Sequence, residues 1–303
     1  MDSVLERLPA GARLTIVRLR SLGDCVLTTP ALQLLHSHRP DLRIAVVVED
    51  RFRAIFQGNP DVAEILPPRV SRIAKFNADL CLNLHGGTRS VVLTLASTAR
   101  LRAGFIHYRA QTAYNIRIPR AQEILNADRK VHTAEHLASA MFFLGVPHAN
   151  IPRARLFTDR LAPQRPPFAV LHPFAASPEK TWPADRFVEL GNHLKQAGRD
   201  PLILAGPKDD ATAFEKFDVI RDAPLSDVIA LLKSATLFAG NDSGPAHMAA
   251  ACGTPVLVLF AASDAVTWAP WKASASEQVI RPRIGDIKID DALASVETLG
   301  VRV

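Results

Sequence analysis

The stretch GNDSGPAHMAAACG, at residues 240–253, places polar side chains and a proline directly ahead of a small, alanine-rich helix. Ser243 or Gly244 suits the N-cap of that helix, and Pro245 suits its first position. Gly253 can end the helix in the left-handed conformation. Backbone amides at a helix start lack internal partners and carry the positive end of the helix dipole, so a phosphate group fits there. Because the dipole contributes only about 0.3–1 kcal/mol, a formal cation should assist.

A candidate for that cation is Lys180, in the stretch HPFAASPEKTWPADRF at residues 172–187. Pro183 follows closely and is well placed at the start of a helix. Lys180 therefore lies in a loop after a predicted strand, from which its ammonium can reach a ligand held over the edge of the sheet. An ordinary surface lysine is the alternative interpretation.

A carboxylate stands at the corresponding place in the first half of the chain. The stretch RLRSLGDCVLTTPAL, at residues 18–32, puts Ser21, Gly23 and Asp24 just after a predicted strand. One interpretation of Asp24 is that its side chain caps the helix that follows. The other is a general base that faces the second half of the chain.

The sequence offers no clear metal site. No Asp-x-Asp motif occurs, so the metal-chelating diphosphate site of many transferases has no obvious ligands. His132 and His136, in HTAEH, have a helical spacing that suits a metal, but no third ligand accompanies them. The start of an amphipathic helix explains this pair better, and we expect neither a metal nor a cofactor.

The candidate residues sit among short apolar runs that alternate with helical patterns. Such runs are typical of strands buried on both faces of a parallel sheet. The predicted strands cover 14–19, 43–48, 78–84, 101–106, 168–174, 201–206, 236–240 and 255–260. Helices are predicted near 183–197, 225–235 and 289–299, besides the one that opens in GNDSGPAH. The repeating βα pattern predicts an α/β protein.

A proline-rich stretch, IPRARLFTDRLAPQRPPF at residues 151–168, interrupts the pattern and is interpreted as a linker. It separates two predicted Rossmann-like domains, at residues 1–155 and 165–303. Two doubly wound sheets that face each other across a cleft are the simplest architecture. Ligands of such sheets bind at the carboxyl ends of the strands, where the candidate residues lie.

Composition places the chain among folded proteins of the cytoplasm. Its 303 residues are 48% hydrophobic, enough for real cores, and no run approaches the roughly 20 apolar residues that cross a bilayer. The N-terminal stretch lacks the basic start and apolar run of an export signal. Cys25, Cys81 and Cys252 are odd in number and lie in apolar surroundings, which favours buried, reduced thiols.

The net charge of +6 is unevenly shared between the halves. Residues 1–150 carry 19 Lys and Arg against 12 Asp and Glu, a net charge of +7, whereas residues 151–303 have a net charge of −1. A polyanionic ligand would be welcome in the first half. Nucleic acid is not expected, because there is no run of basic residues and only 6% of the residues are aromatic. A basic surface that serves solubility alone is the other interpretation.

Three stretches together resemble glycosyltransferase family 9, the bacterial heptosyltransferases of the lipopolysaccharide inner core. They are SLGDCVLTTPAL, KTWPADRFVELG and NDSGPAHMAAACGTPVLVLF, in this order and at fitting separations. The last is the most specific, since an Asp-Ser-Gly-Pro-x-His run before an alanine-rich helix is close to a family signature. LNLHGGTRS and LRAGF extend the resemblance over most of the chain.

The resemblance implies a GT-B fold, with acceptor bound by the first domain and nucleotide-sugar by the second. It also implies an inverting, metal-independent transfer of heptose from ADP-heptose to a hydroxyl of an anionic, lipid-linked sugar acceptor. Such an enzyme works in the cytoplasm, where peripheral contact with the inner membrane surface is conceivable. No cofactor is implied.

The resemblance also assigns roles to residues. Asp24 would be the general base, while Lys180 and the segment of Ser243, Gly244, Pro245 and Ala246 would stabilise the departing diphosphate. Asp242 would hold hydroxyls of the transferred sugar, or is a turn residue that binds its own backbone.

The remaining site residues have two interpretations each. His247 donates to phosphate or only packs, and Asp209 and Asp210, in AGPKDD, contact a ribose or cap a helix. Around the acceptor we expect Ser21, Gly23, His85 and Arg89; the last two follow a strand of the basic half in HGGTRS.

Two positions depart from the family pattern. Phe174 and Ala261 stand where the family usually has glycine, near the expected donor site. A glycine there lets a ligand approach the backbone closely. A different nucleotide-sugar donor, a protein acceptor, a non-catalytic binding module and a GT-B sugar epimerase are therefore the alternatives.

Overall fold

The computed structural model describes residues 3–161 and 164–301. The chain divides into two compact units, residues 1–157 (unit 1) and 158–303 (unit 2). Each unit is built on one six-stranded sheet in which all neighbouring strands are parallel. The predicted α/β class with two doubly wound sheets is confirmed.

Unit 1 has the strand order β3-β2-β1-β4-β5-β6. Its strands are β1 Arg13–Val17, β2 Arg43–Val47, β3 Glu64–Leu66, β4 Leu80–Asn83, β5 Leu101–Phe105 and β6 Ile116–Ile118. Its helices are α1 Leu22–His38, α2 Val70–Phe76, α3 Thr88–Ala96, α4 Ala121–Leu125 and α5 Thr133–Leu144. Apolar side chains of β1, β2 and β4 point to both faces of the sheet and are buried there, as expected of central parallel strands.

Unit 2 repeats this topology, with the order β12-β11-β10-β7-β8-β9. Its strands are β7 Phe168–His172, β8 Asp200–Ala205, β9 Asp218–Arg221, β10 Leu237–Asn241, β11 Val256–Phe260 and β12 Ser276–Ile280. Its helices are α6 Ala184–Gln196, α7 Leu225–Ser234, α8 Gly244–Cys252, α9 Ala265–Trp268 and α10 Ile289–Thr298. In both units the order reverses next to the first strand, between β1 and β4 and between β7 and β10. Ligands of doubly wound sheets bind at this point.

All eight predicted strands are present, but four further strands were not predicted. They are β3, β6, β9 and β12, and each forms an edge of its sheet. An edge strand has one neighbour and a partly exposed surface, so it needs no continuous apolar run. The sequences DVIR of β9 and SEQVI of β12 mix charged and apolar residues for this reason.

The predicted linker is only partly a linker. Ile151, Ala154 and Leu156 are buried. Arg155 donates from its backbone to the Thr29 hydroxyl (3.1 Å) and forms an ion pair with Asp61 (3.0 Å), so this part of the segment packs on unit 1. Residues 162 and 163, in the rest of the predicted linker, lie outside the described residues.

Three further expectations concern cysteines, membrane spans and metals. Cys25, Cys81 and Cys252 are free thiols, and burial raises the pKa of Cys25 to about 12 and that of Cys81 to about 11. Within residues 3–161 and 164–301, no helix has the length and apolar character to cross a membrane. In the same part of the chain, no three His, Cys, Asp or Glu side chains come together as metal ligands.

The histidine pair of HTAEH belongs to the start of α5. His132 is the N-cap, and its Nδ1 accepts from the Ala134 amide at 3.1 Å. The ring of His136 stacks on Phe105, with 4.1 Å between ring centroids, and lies near His107. Burial, with His107 and Arg18 nearby, lowers the pKa of His136 to about 4.

We predict that unit 1 loses stability as the pH falls from 6.5 towards 4. In this range the unfolded chain binds a proton at His136 that the folded chain does not, and the difference amounts to about 3 kcal/mol. Urea unfolding at pH 7 and pH 4.5 should show this loss, and His136→Leu should reduce it. The matched control is His38→Leu, at the exposed end of α1. An unchanged pH dependence in His136→Leu would contradict the assignment.

Candidate active site

The motif that opens the sequence analysis lies at the end of β10 and the start of α8. Ser243 is the N-cap and Gly244 the first helical residue, so Pro245 occupies the second position and not the predicted first one. Gly253 ends the helix with φ +88°, in the predicted left-handed conformation. Both ends of α8 are thus sharply defined by residue types that suit them.

Fewer amide donors are available at this helix start than the sequence suggests. Pro245 has no N–H, and the Ala246 amide already donates to the Ser243 carbonyl at 3.2 Å. Within the described part of the chain, the amides of Ser243 and Gly244 have no backbone acceptor. These two remain for a ligand.

The side chain of Ser243 adds a further donor. Its Oγ is buried and has no hydrogen-bond partner among the described residues. A buried hydroxyl without a partner costs about 1–3 kcal/mol. An anionic ligand at the start of α8 would satisfy this group.

Lys180 reaches the same place from the neighbouring strand. It ends a single 3-10 turn, Pro178–Lys180, in the loop after β7. Its Nζ donates to Asp242 Oδ2 at 2.8 Å; the side chains of Lys180 and Asp242 are 31% and 10% exposed. The two predicted residues are therefore brought together as an ion pair, directly beside the N-cap of α8.

Asn241 holds this arrangement in place, and the sequence analysis assigned it no role. It is fully buried at the end of β10. Its Oδ1 accepts from the Trp182 amide (3.0 Å), and its Nδ2 donates to the Pro173 carbonyl (2.9 Å). Both ends of the loop that carries Lys180 are thus tied to β10. The signal was an amide residue at the end of an otherwise apolar strand.

Trp182 anchors the same loop in the core of unit 2. Its indole is fully buried, packs edge-on against Phe187 and donates from Nε1 to the Ile287 carbonyl at 2.9 Å. Because Trp182 lies two residues after Lys180, the position of the ammonium follows from core packing.

Asp209 and Asp210 follow β8, and both have local partners. Asp209 Oδ2 accepts from the Gly206 amide at 2.7 Å. Asp210 Oδ1 accepts from the Thr212 amide and hydroxyl, at 3.0 and 2.6 Å, which lowers the pKa of Asp210. The geometry thus matches the capping interpretation. His247 is buried within α8.

In unit 1, Asp24 lies in the first turn of α1, at the end of β1. Ser21 is the N-cap, and Asp24 is the third helical residue, so the interpretation of Asp24 as the N-cap itself is wrong. Its Oδ2 accepts from the Ser21 amide (3.3 Å) and the Ser21 hydroxyl (3.1 Å). Gly23 lies between these two residues in the same turn.

Arg18 is the partner of Asp24 that the sequence analysis did not single out. Its Nη2 donates to Asp24 Oδ1 at 2.7 Å, and its Nη1 donates to the Leu84 carbonyl at the end of β4. The guanidinium is buried, with 7% of the side chain exposed, whereas the Asp24 side chain is 22% exposed. A carboxylate has about four lone-pair sites, so Asp24 keeps room to accept from a ligand.

His85 joins this group, and Arg89 does not. The His85 amide donates to Asn83 Oδ1 (2.9 Å), and burial, together with the nearby Arg18, lowers the pKa of the His85 ring. The ring is therefore predominantly neutral at pH 7. Arg89 is exposed in α3 and lies 3.4 Å from Glu49 Oε1.

Comparison with known proteins decides the family. A family model described as glycosyltransferase family 9 (heptosyltransferase) matches residues 70–284, more than half of the chain. The chain belongs to glycosyltransferase family 9. It is similar to lipopolysaccharide heptosyltransferase 3 of Escherichia coli, with 26% identity over 84% of each protein. Lipopolysaccharide heptosyltransferase 1 of Salmonella typhimurium is 24% identical, over 83% of this chain and 89% of the relative. This family member is a glycosyltransferase.

Solved structures show the same fold. A family 9 glycosyl transferase from Veillonella parvula has a TM-score of 0.82 and 20% identity, covering 95% of this chain and 97% of its own. The Escherichia coli heptosyltransferase WaaC with ADP has a TM-score of 0.78 and 20% identity, covering 95% and 99%. The expected GT-B class, with two Rossmann-like units, is confirmed.

Phe174 and Ala261, which replace the usual family glycines, both pack against the core of unit 2. The Phe174 ring lies edge-on to Phe214 and to His172, with 6.0 and 5.8 Å between centroids. Phe174 thereby directs its ring into protein and away from open space. The replacement of this glycine of family 9 is accommodated by aromatic packing.

We predict that Asn241→Ala destabilises unit 2 and loosens the loop of Lys180. The change leaves the Trp182 amide and the Pro173 carbonyl buried without partners, at a cost of about 1–3 kcal/mol each. Urea unfolding should show the lower stability, and hydrogen exchange should show faster exchange at Trp182. Asn192→Ala, a half-buried asparagine of α6, is the control and should change neither. Wild-type exchange at Trp182 in Asn241→Ala would refute the anchoring role.

Proposed function

We propose that this enzyme transfers heptose from ADP-heptose to a hydroxyl of an anionic acceptor in the lipopolysaccharide inner core, with inversion and without a bound metal. The observation that carries the proposal is the group at the start of α8: the Lys180–Asp242 pair, the buried Ser243 hydroxyl and two available amides. The names of the family's lipopolysaccharide heptosyltransferases supply the substrate class.

The donor half of the reaction takes place in unit 2. As the bond from the anomeric carbon to the diphosphate breaks, negative charge develops on the departing ADP. The Lys180 ammonium, the Ser243 hydroxyl and the amides of Ser243 and Gly244 stabilise that charge. The assignment of a diphosphate to this place rests on its cation and its donors.

Asp242 changes partner in this scheme. Without a ligand its Oδ2 accepts from Lys180. When Lys180 turns to the phosphate oxygens, the carboxylate is released to accept hydrogen bonds from hydroxyls of the sugar. A lysine suits such an exchange, because its ammonium is a point charge on a flexible stem.

The acceptor half takes place in unit 1. Asp24 accepts the proton of the acceptor hydroxyl while that oxygen attacks the anomeric carbon from the side opposite the diphosphate, which gives inversion. Arg18 and Ser21 hold the two oxygens of Asp24 in a fixed orientation. The products are the extended acceptor and ADP, and the proton resides on Asp24 before it passes to water.

The electrostatic field of unit 1 matches an acceptor that bears phosphates and carboxylates. The first half of the chain carries a net +7, and Arg18, Ser21 and His85 surround the proposed base. We place the enzyme in the cytoplasm, in peripheral contact with the inner membrane, where a lipid-linked acceptor would lie. Three free thiols are consistent with that compartment.

We predict that Asp24→Asn lowers kcat by about 100- to 10,000-fold, the usual contribution of a general base. Donor affinity should stay unchanged, since Asp24 belongs to the acceptor half. Transfer from ADP-heptose to a purified core acceptor, with donor binding measured by calorimetry, checks both. Asp128→Asn, in an exposed loop, is the control. Near wild-type transfer in Asp24→Asn would assign the proton to another group.

We predict that ADP raises the melting temperature more than UDP or GDP does, because only the folded state binds nucleotide. Lys180→Ala should abolish most of this shift, whereas Lys233→Ala, an exposed lysine of α7, should preserve it. A larger shift with UDP or GDP would favour a different nucleotide-sugar donor. An ADP shift of wild-type size in Lys180→Ala would remove Lys180 from the donor site.

A further inference from the structure

A strongly basic cavity lies in unit 1 at the end of the sheet opposite to Asp24. Its volume is about 470 Å³, within the roughly 300–1,000 Å³ of ligand pockets. Arg13 and Arg43 pair in register at the first residues of β1 and β2. Since β1 spans five residues at about 3.3 Å each, this end is roughly 15 Å from the end that leads to Asp24.

The charged residues that line the cavity are almost all positive. They are Arg13, Arg43, Arg53, Arg72, Lys75 and Glu64. Five cations thus face one carboxylate, and Glu64 lies 3.3 Å from Arg43. Cations that share one concave surface repel each other, and the low dielectric of the walls strengthens the field inside.

Two of the arginines are held in place by the fold. Arg13 Nη1 donates to the Phe76 carbonyl at 3.1 Å, and Arg53 Nη1 donates to the Ile65 carbonyl at 3.0 Å. These bonds orient the guanidinium groups and leave several of their five N–H donors for a ligand. The cavity is preorganised on this side.

The other side of the cavity is formed by α2. Arg72 and Lys75 are three residues apart, so they lie on the same face of the helix. Both are exposed, and their side chains make no hydrogen bond or ion pair with any residue in 3–161 or 164–301. Their charges are available to an external anion.

We propose that this cavity is a second anion site, which binds a ligand with two phosphate groups. A phosphate monoester carries about −1.5 to −2 charges at pH 7, so two such groups match the net +4 of the lining residues. Guanidinium forks fit phosphate oxygens in a bidentate manner. The site is separate from the proposed donor site, which belongs to unit 2, and does not depend on the proposed function.

Isothermal titration with inorganic pyrophosphate tests the proposal. R72Q/K75Q should weaken binding at this site at least about tenfold, since it removes charge-assisted bonds. R117Q/K195Q removes two exposed cations elsewhere and should leave the affinity unchanged. Equal affinities in R72Q/K75Q and the wild type would overturn the proposal.

Two further variants make the result specific. Glu64→Gln removes the carboxylate from the lining and should tighten pyrophosphate binding, an outcome that a misfolded protein cannot produce. Lys180→Ala should leave the cavity's binding intact. If Lys180→Ala abolished all pyrophosphate binding, the cavity would not be a site; if it changed nothing while R72Q/K75Q lost binding, the donor assignment alone would fail.

The phosphates can belong to a lipid head group or to a soluble molecule, and flotation with vesicles separates these sources. Vesicles of phosphatidylcholine with cardiolipin, which carries two phosphates, should bind the wild type and not R72Q/K75Q if the ligand is a lipid. Pyrophosphate binding without flotation identifies a soluble ligand. Absence of binding in both experiments refutes the site.

Discussion

The candidate site of unit 2 depends on one buried carboxamide. Asn241 accepts a hydrogen bond from the backbone of Trp182 and donates one to the backbone of Pro173, and so ties the loop after β7 to the end of β10. Asp242 is the next residue, and Lys180 lies within the tied loop. The ion pair between them is therefore set by backbone bonds that are shielded from water, where a missing partner is expensive.

Unit 1 uses the same device at the equivalent strand. Asn83 ends β4 and is fully buried; its Oδ1 accepts from the amides of His85 and Gly86, and its Nδ2 donates to the hydroxyls of Tyr114 and Ser90. Both asparagines stand next to the first strand of their sheet, where the strand order reverses. A side-chain amide can satisfy donors and acceptors together, so it fixes an irregular loop at the point where a doubly wound sheet opens for a ligand.

Much of this organisation was predictable from sequence, because central parallel strands need continuous apolar runs and helix termini need particular residues. The eight central strands and the boundaries of α8 follow from these two rules. Edge strands such as β9 escape the first rule, since half of their surface is exposed. Partners distant in sequence escape both: nothing in the composition of SLGD shows that Arg18, buried against the Leu84 carbonyl, will bind Asp24. Motif recognition located Asp24 and Lys180, and geometry supplied what holds them.

The two cation–carboxylate pairs differ in a way that fits their proposed roles. The Arg18 side chain is 7% exposed and is also bound to a backbone carbonyl, so its bond to Asp24 persists when a ligand arrives. A base needs such a fixed orientation, because proton transfer requires hydrogen-bond geometry. Lys180 is 31% exposed and bound through one flexible ammonium, so it can exchange Asp242 for phosphate at little cost. Each carboxylate thus stays paired while the site is empty, and only the pair in unit 2 is built to open.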